Sequence, residues 1–188
     1  MRIITGKYRG RVLSTVPDRS VRPATDRVRS TIFNVLQNRL RMADARVLDA
    51  FAGSGSLGFE ALSRGASHVT FVDNQPKVLR VIESNARMLG CEDSCDVIES
   101  DALAFIANAR RKFDLIFADP PYLYGETSGI PRSVFERELL ARGGFLIIEH
   151  SRKARFEPSG LYESVVEKEF GGTRVSFFSY PSQGGESS

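Results

Sequence analysis

At 188 residues, 41% apolar and 26% charged, the chain has the size and balance of one soluble globular domain with its own core. No apolar run approaches the roughly 18–20 residues of a membrane span, and the opening Met1-Arg2-Ile3-Ile4-Thr5-Gly6 lacks the apolar segment of a secretory signal. Cys91, Cys95, His68 and His150 are the only residues of their types, too few for a disulfide framework or a zinc site, so the expectation is a cytoplasmic protein with reduced thiols and no metal.

The net charge of +3 is unevenly spread. Met1–Arg46 carries eleven Lys and Arg against Asp18, Asp26 and Asp44, a net +8, which leaves −5 for the remainder. A basic arm ahead of a mildly acidic domain is the footprint of a polyanionic partner. Residues 1–21 alternate short apolar and basic pieces punctuated by Gly6 and Gly10, which predicts a small β-hairpin extension. Its segment Lys7-Tyr8-Arg9-Gly10-Arg11 interleaves cations with an aromatic ring, a set suited to a phosphate backbone and an unstacked base. Pro23 blocks helix at Arg22, and Thr25 is placed to cap the helix that follows. Val28, Ile32, Val35, Leu36 and Leu40 recur at helical spacing, with Arg22, Arg27 and Arg29 near the start as candidate phosphate contacts.

Arg46–Phe51 reads as a strand, and Gly53-Ser54-Gly55-Ser56-Leu57-Gly58 turns it into a helix through Leu62. This G-x-G-x-x-G lets the backbone turn tightly and approach a ligand at a helix N-terminus. It admits a dinucleotide or another adenosine ligand. His68–Asp73 is a second strand, and Asp73 lies where an acid takes ribose hydroxyls in nucleoside-binding α/β units. Pro76–Leu89 reads as a helix and Asp96–Ser100 as a short strand. Asp101 is then either a helix cap for Leu103–Arg110 or a polar contact to an adenine amine.

Phe113–Ala118 reads as a buried parallel strand running into Asp119-Pro120-Pro121-Tyr122. Two prolines cannot continue a central strand, so the chain leaves the sheet at its carboxyl end, where open α/β sheets bind ligands. A carboxylate, free carbonyls and an aromatic ring leave with it, a set able to grip a flat, amine-bearing ring. Residues 122–130 form a loop long enough for a lid, Phe135–Leu140 reads as helix, Gly143-Gly144 as a turn and Phe145–Glu149 as a strand. Ser164–Phe170 and Thr173–Tyr180 read as a closing antiparallel hairpin, and Ser182–Ser188 as a disordered tail. The domain expected is therefore residues 22–181, an α/β sandwich on a mostly parallel seven-stranded sheet.

These stretches together resemble class I S-adenosylmethionine-dependent methyltransferases. Within that class the bacterial 16S ribosomal RNA guanine-N2 methyltransferases are the closer likeness. Arg9-Gly10-Arg11, Arg22 through Asn34 and Phe51–Ala66 are similar to that family's motifs, with Ala24 and Ser30 departing where Thr and Glu are usual. The resemblance implies a Rossmann-like sandwich, S-adenosylmethionine as methyl donor, and 16S rRNA or the small ribosomal subunit as partner. It assigns the donor to Asp49, Phe51, Ala52, Gly53, Ser54, Gly55, Asp73, Asn74, Asp101 and Ala102. The amine-binding and catalytic set it implies is Asp119, Pro120, Pro121 and Tyr122, and the RNA surface is Lys7, Arg9, Arg11, Arg22, Arg27 and Arg29. Two rivals are an enzyme acting on an adenine or cytosine amine of DNA or another RNA, and an NAD-binding dehydrogenase. The second would explain the glycine loop and Asp73 but not Asp119–Tyr122, the basic arm or the terminal hairpin.

Overall fold

The computed structural model of the chain describes residues 1–16, 26–121 and 125–182. The expectations placed on Arg22, Pro23, Thr25, Tyr122 and the tail at 183–188 lie outside the described residues. In chain order the elements are α1 (Asp26–Leu36), β1 (Arg46–Ala50), α2 (Ser56–Ser63), β2 (His68–Asp73), α3 (Pro76–Leu89) and β3 (Cys95–Glu99). There follow α4 (Ala102–Asn108), β4 (Phe113–Ala118), α5 (Ile130–Glu136), β5 (Leu140–Ser151), β6 (Glu163–Phe170) and β7 (Thr173–Ser179). Seven strands form one sheet in the order β3-β2-β1-β4-β5-β7-β6. The first five run parallel, and β7 is antiparallel to both β5 and β6. An NAD-binding Rossmann sheet has the order 3-2-1-4-5-6; the antiparallel strand inserted beside β5 departs from it.

The strands form where continuous apolar runs are buried on both faces. Val47, Leu115, Phe117 and Ile147 pack on one side with α1, and Leu48, Ile116, Leu146 and Ile148 pack on the other with α5. Helix α3 is the clearest case of local coding. Pro76 suits its first turn, Gly90 closes it in the left-handed conformation, and Val78, Leu79, Ile82, Ala86 and Leu89 form its buried stripe.

Several boundaries shift by one or two residues from the sequence expectation, and three departures have a clear physical reason. Gly143-Gly144 is not a turn but an irregularity within β5, where the pairing steps from Phe113–Leu140 to Leu115–Phe145. A Cβ on Gly144 would lie 2.5 Å from the Asp114 carbonyl oxygen, so the two strands approach too closely there for any side chain. Helix α5 sits earlier than expected, at Ile130–Glu136, because Pro131 suits a first turn and Leu140 is already in the sheet. Strand β1 ends at Ala50, since Phe51 takes φ +70°, outside any extended conformation.

The N-terminal residues fold back as a short hairpin. Arg2 and Val12 bridge antiparallel, Ile3 donates to the Arg11 carbonyl at 3.0 Å, and Gly10 donates to that of Ile3 at 2.9 Å. The hairpin is bolted to α2 by two buried residues, Glu60 and Ser63. Glu60, with no exposed surface, accepts from the Ile4 amide at 2.8 Å, the Thr5 amide at 3.1 Å and Arg64 Nε at 2.9 Å. Ser63 Oγ accepts from the Tyr8 amide at 2.9 Å and donates to the Thr5 carbonyl, while the Ser63 carbonyl accepts from the Lys7 amide at 2.7 Å. Asn85 of α3 holds the outgoing chain at the backbone of Ser14, accepting from its amide at 2.9 Å and donating to its carbonyl at 3.0 Å. Among the described residues, no helix is long and apolar enough to cross a membrane.

Gly6 is the tightest point of this junction. It has φ +89°, and a Cβ there would fall 1.8 Å from the Ser63 carbonyl oxygen. Gly6→Ala is expected to undock the hairpin at a cost of about 1–3 kcal/mol. Hydrogen exchange should then rise at Ile3, Lys7 and Tyr8 while the amides of β1 and β4 keep their protection; equal protection in the two proteins would refute the junction's role.

Candidate active site

The carboxyl ends of β1, β4 and β5 stand side by side in the middle of the sheet. Their register fixes which side chains share a face. Asp49 pairs with Phe117, and Phe117 with Ile147. Two residues further along β4 and β5 lie Asp119 and Glu149, so strand alternation puts Asp49, Asp119 and Glu149 on one face. Asp49 is 2% exposed, whereas Asp119 and Glu149 are half-buried. The carboxylates thus run from a buried floor at β1 to a more open edge at β5. Among the described residues, no group of three His, Cys, Asp or Glu side chains is gathered closely enough to hold a metal ion.

The glycine loop crosses the top of β1. After Phe51, Ala52 donates to the Val72 carbonyl at 2.9 Å, and Gly55 closes a turn onto the Ala52 carbonyl at 2.7 Å. Gly53 and Gly55 have φ +51° and +73°, which a side chain would strain. Gly58 has a different task, because its Cβ would sit 2.3 Å from the Phe71 ring, and its absence lets α2 lie directly on β2. Asp49 ties the two ends of the loop together by accepting from the Gly58 amide at 2.9 Å. Asp73 accepts from Gly53 through one oxygen at 3.0 Å and from Gln75 through the other at 2.9 Å. Each oxygen retains capacity to accept a further hydrogen bond. Ser54 is buried and Asn74 exposed beside them.

Asp101 resolves the alternative left open by the sequence toward a cap: it accepts from the Ala104 amide at 2.9 Å and starts α4. It is exposed, with Ala102 buried behind it. Pro120 is buried and Pro121 exposed as the chain leaves β4.

The acidic edge gathers like charges in a largely desolvated setting. Burial pushes the Asp49 carboxyl up to about 7, against the pull of the Gly58 amide and with a further push from Asp73. Asp119 is held well above the ordinary carboxylate range, first by desolvation and then by the neighbouring charges of Glu149 and Asp49. A cleft of this kind favours a cation or a multiple N–H donor. His150, by contrast, is structural. Its ring nitrogens contact Ser176 Oγ at 2.8 Å and the Ser151 carbonyl at 2.9 Å, and burial lowers its basicity.

On the basic side, Lys7, Arg9, Arg11 and Arg27 are exposed, with the Lys7 ammonium 5.1 Å from the Tyr8 ring centre. Arg29 is a correction. Its side chain is fully buried, pairs with Asp26 at 2.9 Å, donates to the Arg2 carbonyl at 2.5 Å and lies 3.9 Å from Glu60. It therefore fastens the hairpin to α1 and has no surface for a phosphate. Sequence reasoning missed Glu60, which lies beside it, and Ser63, which holds the hairpin through Thr5, Lys7 and Tyr8. The available signal was a lone carboxylate inside the otherwise apolar Ser56–Ser63 helix, which requires buried donors.

The seven-stranded sheet with its antiparallel β7, and a glycine loop and acidic strand ends at one edge, define a Rossmann-like methyltransferase. Residues 1–179 match the family described as Conserved hypothetical protein 95, and the chain belongs to that family. It is 37% identical over 182 residues to YlbH of Bacillus subtilis, covering 95% of this chain and 98% of that protein. It is 41% identical over 125 residues to Ribosomal RNA small subunit methyltransferase D of Haemophilus influenzae, covering 65% of this chain and 64% of the relative. The solved structure of yhhF from Escherichia coli superposes with a TM-score of 0.85 at 32% identity, over 97% of this chain and 99% of that one.

The raised Asp49 carboxyl has a consequence for stability. The folded protein keeps this proton up to about pH 7, whereas an unfolded Asp releases it near 3.8. Between those values the native state binds more protons than the unfolded one, so this group lowers stability as pH rises. Asp49→Asn, which still accepts from Gly58, is expected to flatten the fall of Tm between pH 4 and 7 relative to the unsubstituted protein. Parallel Tm profiles for the two would overturn the assignment.

Proposed function

We propose that the protein transfers the methyl group of S-adenosylmethionine to the exocyclic N2 amine of a guanine in 16S ribosomal RNA of the small subunit. The observation that carries this reading is the run of carboxylates from Asp49 to Asp119 beside a loop whose glycines admit a ligand to the backbone. The similarity to a Haemophilus influenzae protein named for small-subunit ribosomal RNA supports the choice of substrate.

The residues fit the donor. Gly53 and Gly55 leave room for close approach, and Asp73 offers its remaining lone pairs to two ribose hydroxyls. Asn74, Asp101 and Ala102 flank the place of the adenine, and Asp49, Phe51, Ala52 and Ser54 line the inner end, where the acidic floor attracts positive charge. S-adenosylmethionine, when bound there, supplies an electrophilic methyl on a positively charged sulfur.

The protein's own contribution is positional. Guanine N2 is a weak nucleophile because its lone pair is delocalised into the ring. Asp119 and the Pro120 carbonyl accept its two N–H hydrogens and aim the lone pair at the methyl carbon. The C–N bond forms as the C–S bond breaks, and the proton released from N2 passes to the Asp119 carboxylate. Alignment within roughly 3–3.5 Å accounts for the gain, without a strong base. Pro121 stiffens the exit from the strand, and Tyr122 stacks on the base, worth about 1–3 kcal/mol. A target in a loop or bulge avoids most of the unstacking cost of a few kcal/mol. Lys7, Arg9, Arg11, Arg22 and Arg27 hold the RNA backbone, with residues 1–21 acting as an RNA-binding extension of the methyltransferase domain at 22–181.

Two outcomes test this. With S-adenosylmethionine and unmodified small subunits, nucleoside mass spectrometry should detect N2-methylguanosine. Asp119→Ala should lower its rate by about 10²–10³-fold while donor affinity stays within twofold. Methyladenosine or methylcytidine as product would overturn the choice of amine and keep the fold. For the arm, the double variant Arg9→Ala, Arg11→Ala should reduce the slope of log affinity against log salt by about 1.4–1.8 on RNA; an unchanged slope would remove the arm from the interface.

A further inference from the structure

The acidic strand ends set a demand that the basic hairpin does not meet. An amine is drawn to the carboxylates, but the phosphates on either side of its nucleotide are repelled by them. Lys7, Arg9 and Arg11 belong to a hairpin docked on α2 and α3, the helices that pack on β2 and β3. In the strand order β2-β1-β4-β5, three spacings of about 4.8 Å each put β5 roughly 14 Å from β2. Exposed charges further apart than about 8 Å are largely screened at physiological salt. Phosphates that pass over the β5 side of the cleft therefore need cations of their own.

The exit of β5 supplies them. Ser151-Arg152-Lys153-Ala154 is a β-turn closed by the Ala154 amide, which donates to the Ser151 carbonyl at 3.1 Å. Ser151 lies three residues beyond Ile148, the register partner of Ala118, so the turn begins about 10 Å past the end of β4. Arg152 and Lys153 form its tip and Arg155 follows, three cations in four residues within the part of the chain whose net charge is −5. Arg152 is engaged inside the fold, paired with Glu169 at 2.8 Å. Lys153 is exposed and has no carboxylate partner among the described residues. Arg155 is exposed as well. Its Nη1 donates to the Arg152 and Ala154 carbonyls at 2.7 and 3.1 Å, which fixes the guanidinium and leaves Nε and Nη2 to solvent. Phe156 anchors the turn, its ring meeting those of His150 and Phe178 edge-on at 4.8 and 4.9 Å.

Resting on the reading that the substrate is RNA, we infer that Lys153 and Arg155 form a second phosphate-binding site, which holds the RNA backbone on the β5 side of the cleft. The two open N–H groups of the Arg155 fork match the paired oxygens of a phosphate, and Lys153 adds a compact charge beside them. Because the turn is closed by hydrogen bonds and packed on aromatic rings, little ordering cost falls on binding. The hairpin engages the strand on one flank of the cleft and this turn engages it on the other. The nucleotide between them reaches Asp119 from a backbone fixed on both sides, and the repulsion between its phosphates and the acidic strand ends is offset where it is strongest.

The experiment measures binding of an unmodified 16S ribosomal RNA transcript as a function of salt. The double variant Lys153→Ala, Arg155→Ala should reduce the slope of log affinity against log salt by about 1.4–1.8. Combined with Arg9→Ala and Arg11→Ala, the reductions should add, because the two sites are too far apart to couple. Lys153→Arg, which keeps the charge, should retain the full slope, and S-adenosylmethionine affinity should stay within twofold throughout. An unchanged slope in the turn variant, beside a reduced slope in the hairpin variant, would overturn this inference and leave RNA as the substrate. An unchanged slope on RNA with slower methylation of assembled small subunits would assign the turn to a protein partner and overturn it equally. A matching loss in Lys153→Arg, or a parallel loss of donor affinity, would make the turn structural and refute the site. RNA affinity of the unsubstituted protein that ignores salt would overturn the reading of the substrate as well.

Discussion

One hydrogen bond organises the centre of this molecule: the Gly58 amide to the buried Asp49 carboxylate, 2.9 Å long. It spans nine residues and joins the last turn of β1 to the first turn of α2. The glycine loop between them is thereby closed at its base, and the peptide groups around Phe51, Gly53 and Gly55 are held in left-handed conformations. A carboxylate in that place is costly to desolvate. The cost is offset by a helix-terminal donor and by the packing that Gly58 permits against Phe71. The same bond leaves a buried acid under the loop, so a structural device and an electrostatic one share a single residue.

The second organising residue, Glu60, lies just beyond on the same helix and serves the other end of the fold. It collects the Ile4 and Thr5 amides and the Arg64 side chain, with Arg29 close by. A buried carboxylate with that many donors is well satisfied, and removing any one partner would leave the others exposed to the penalty of an uncompensated charge. Helix α2 is only eight residues long and entirely buried. Its first turn fixes the loop and its last turn fixes the basic hairpin.

How much of this could be read from the chain depended on whether local sequence decided the outcome. Helix α3 and strands β2 and β4 were legible at their observed bounds, because prolines, a capping glycine and uninterrupted apolar runs leave few choices. The strand-end cluster was legible for the same reason: Pro120 and Pro121 force the chain out of the sheet beside Asp119. Gly143-Gly144 misled because a paired glycine normally marks a turn; here it marks the close approach of β5 to the Asp114 carbonyl, a tertiary fact. Arg29 misled because charge suggests solvent. Its position relative to Phe33 and Leu36, four and seven residues on, places it on the buried stripe of α1, and that spacing outweighed the charge. The pairing of the strand ends at Asp119 and Glu149 was the least legible part, since it exists only through the β4–β5 register.

The short bridge formed by α2 has a consequence for what the fold can tolerate. An α-helix turns about 100° and rises about 1.5 Å per residue. One residue inserted or deleted between Gly58 and Glu60 would rotate the hairpin's attachment by that angle relative to the glycine loop, swinging Lys7, Arg9 and Arg11 toward a different side of the sheet. Loops elsewhere can lengthen without altering the relation of the basic arm to the acidic cleft. This stretch cannot, so the phase of a single buried helix sets the angle between the two ends of the molecule.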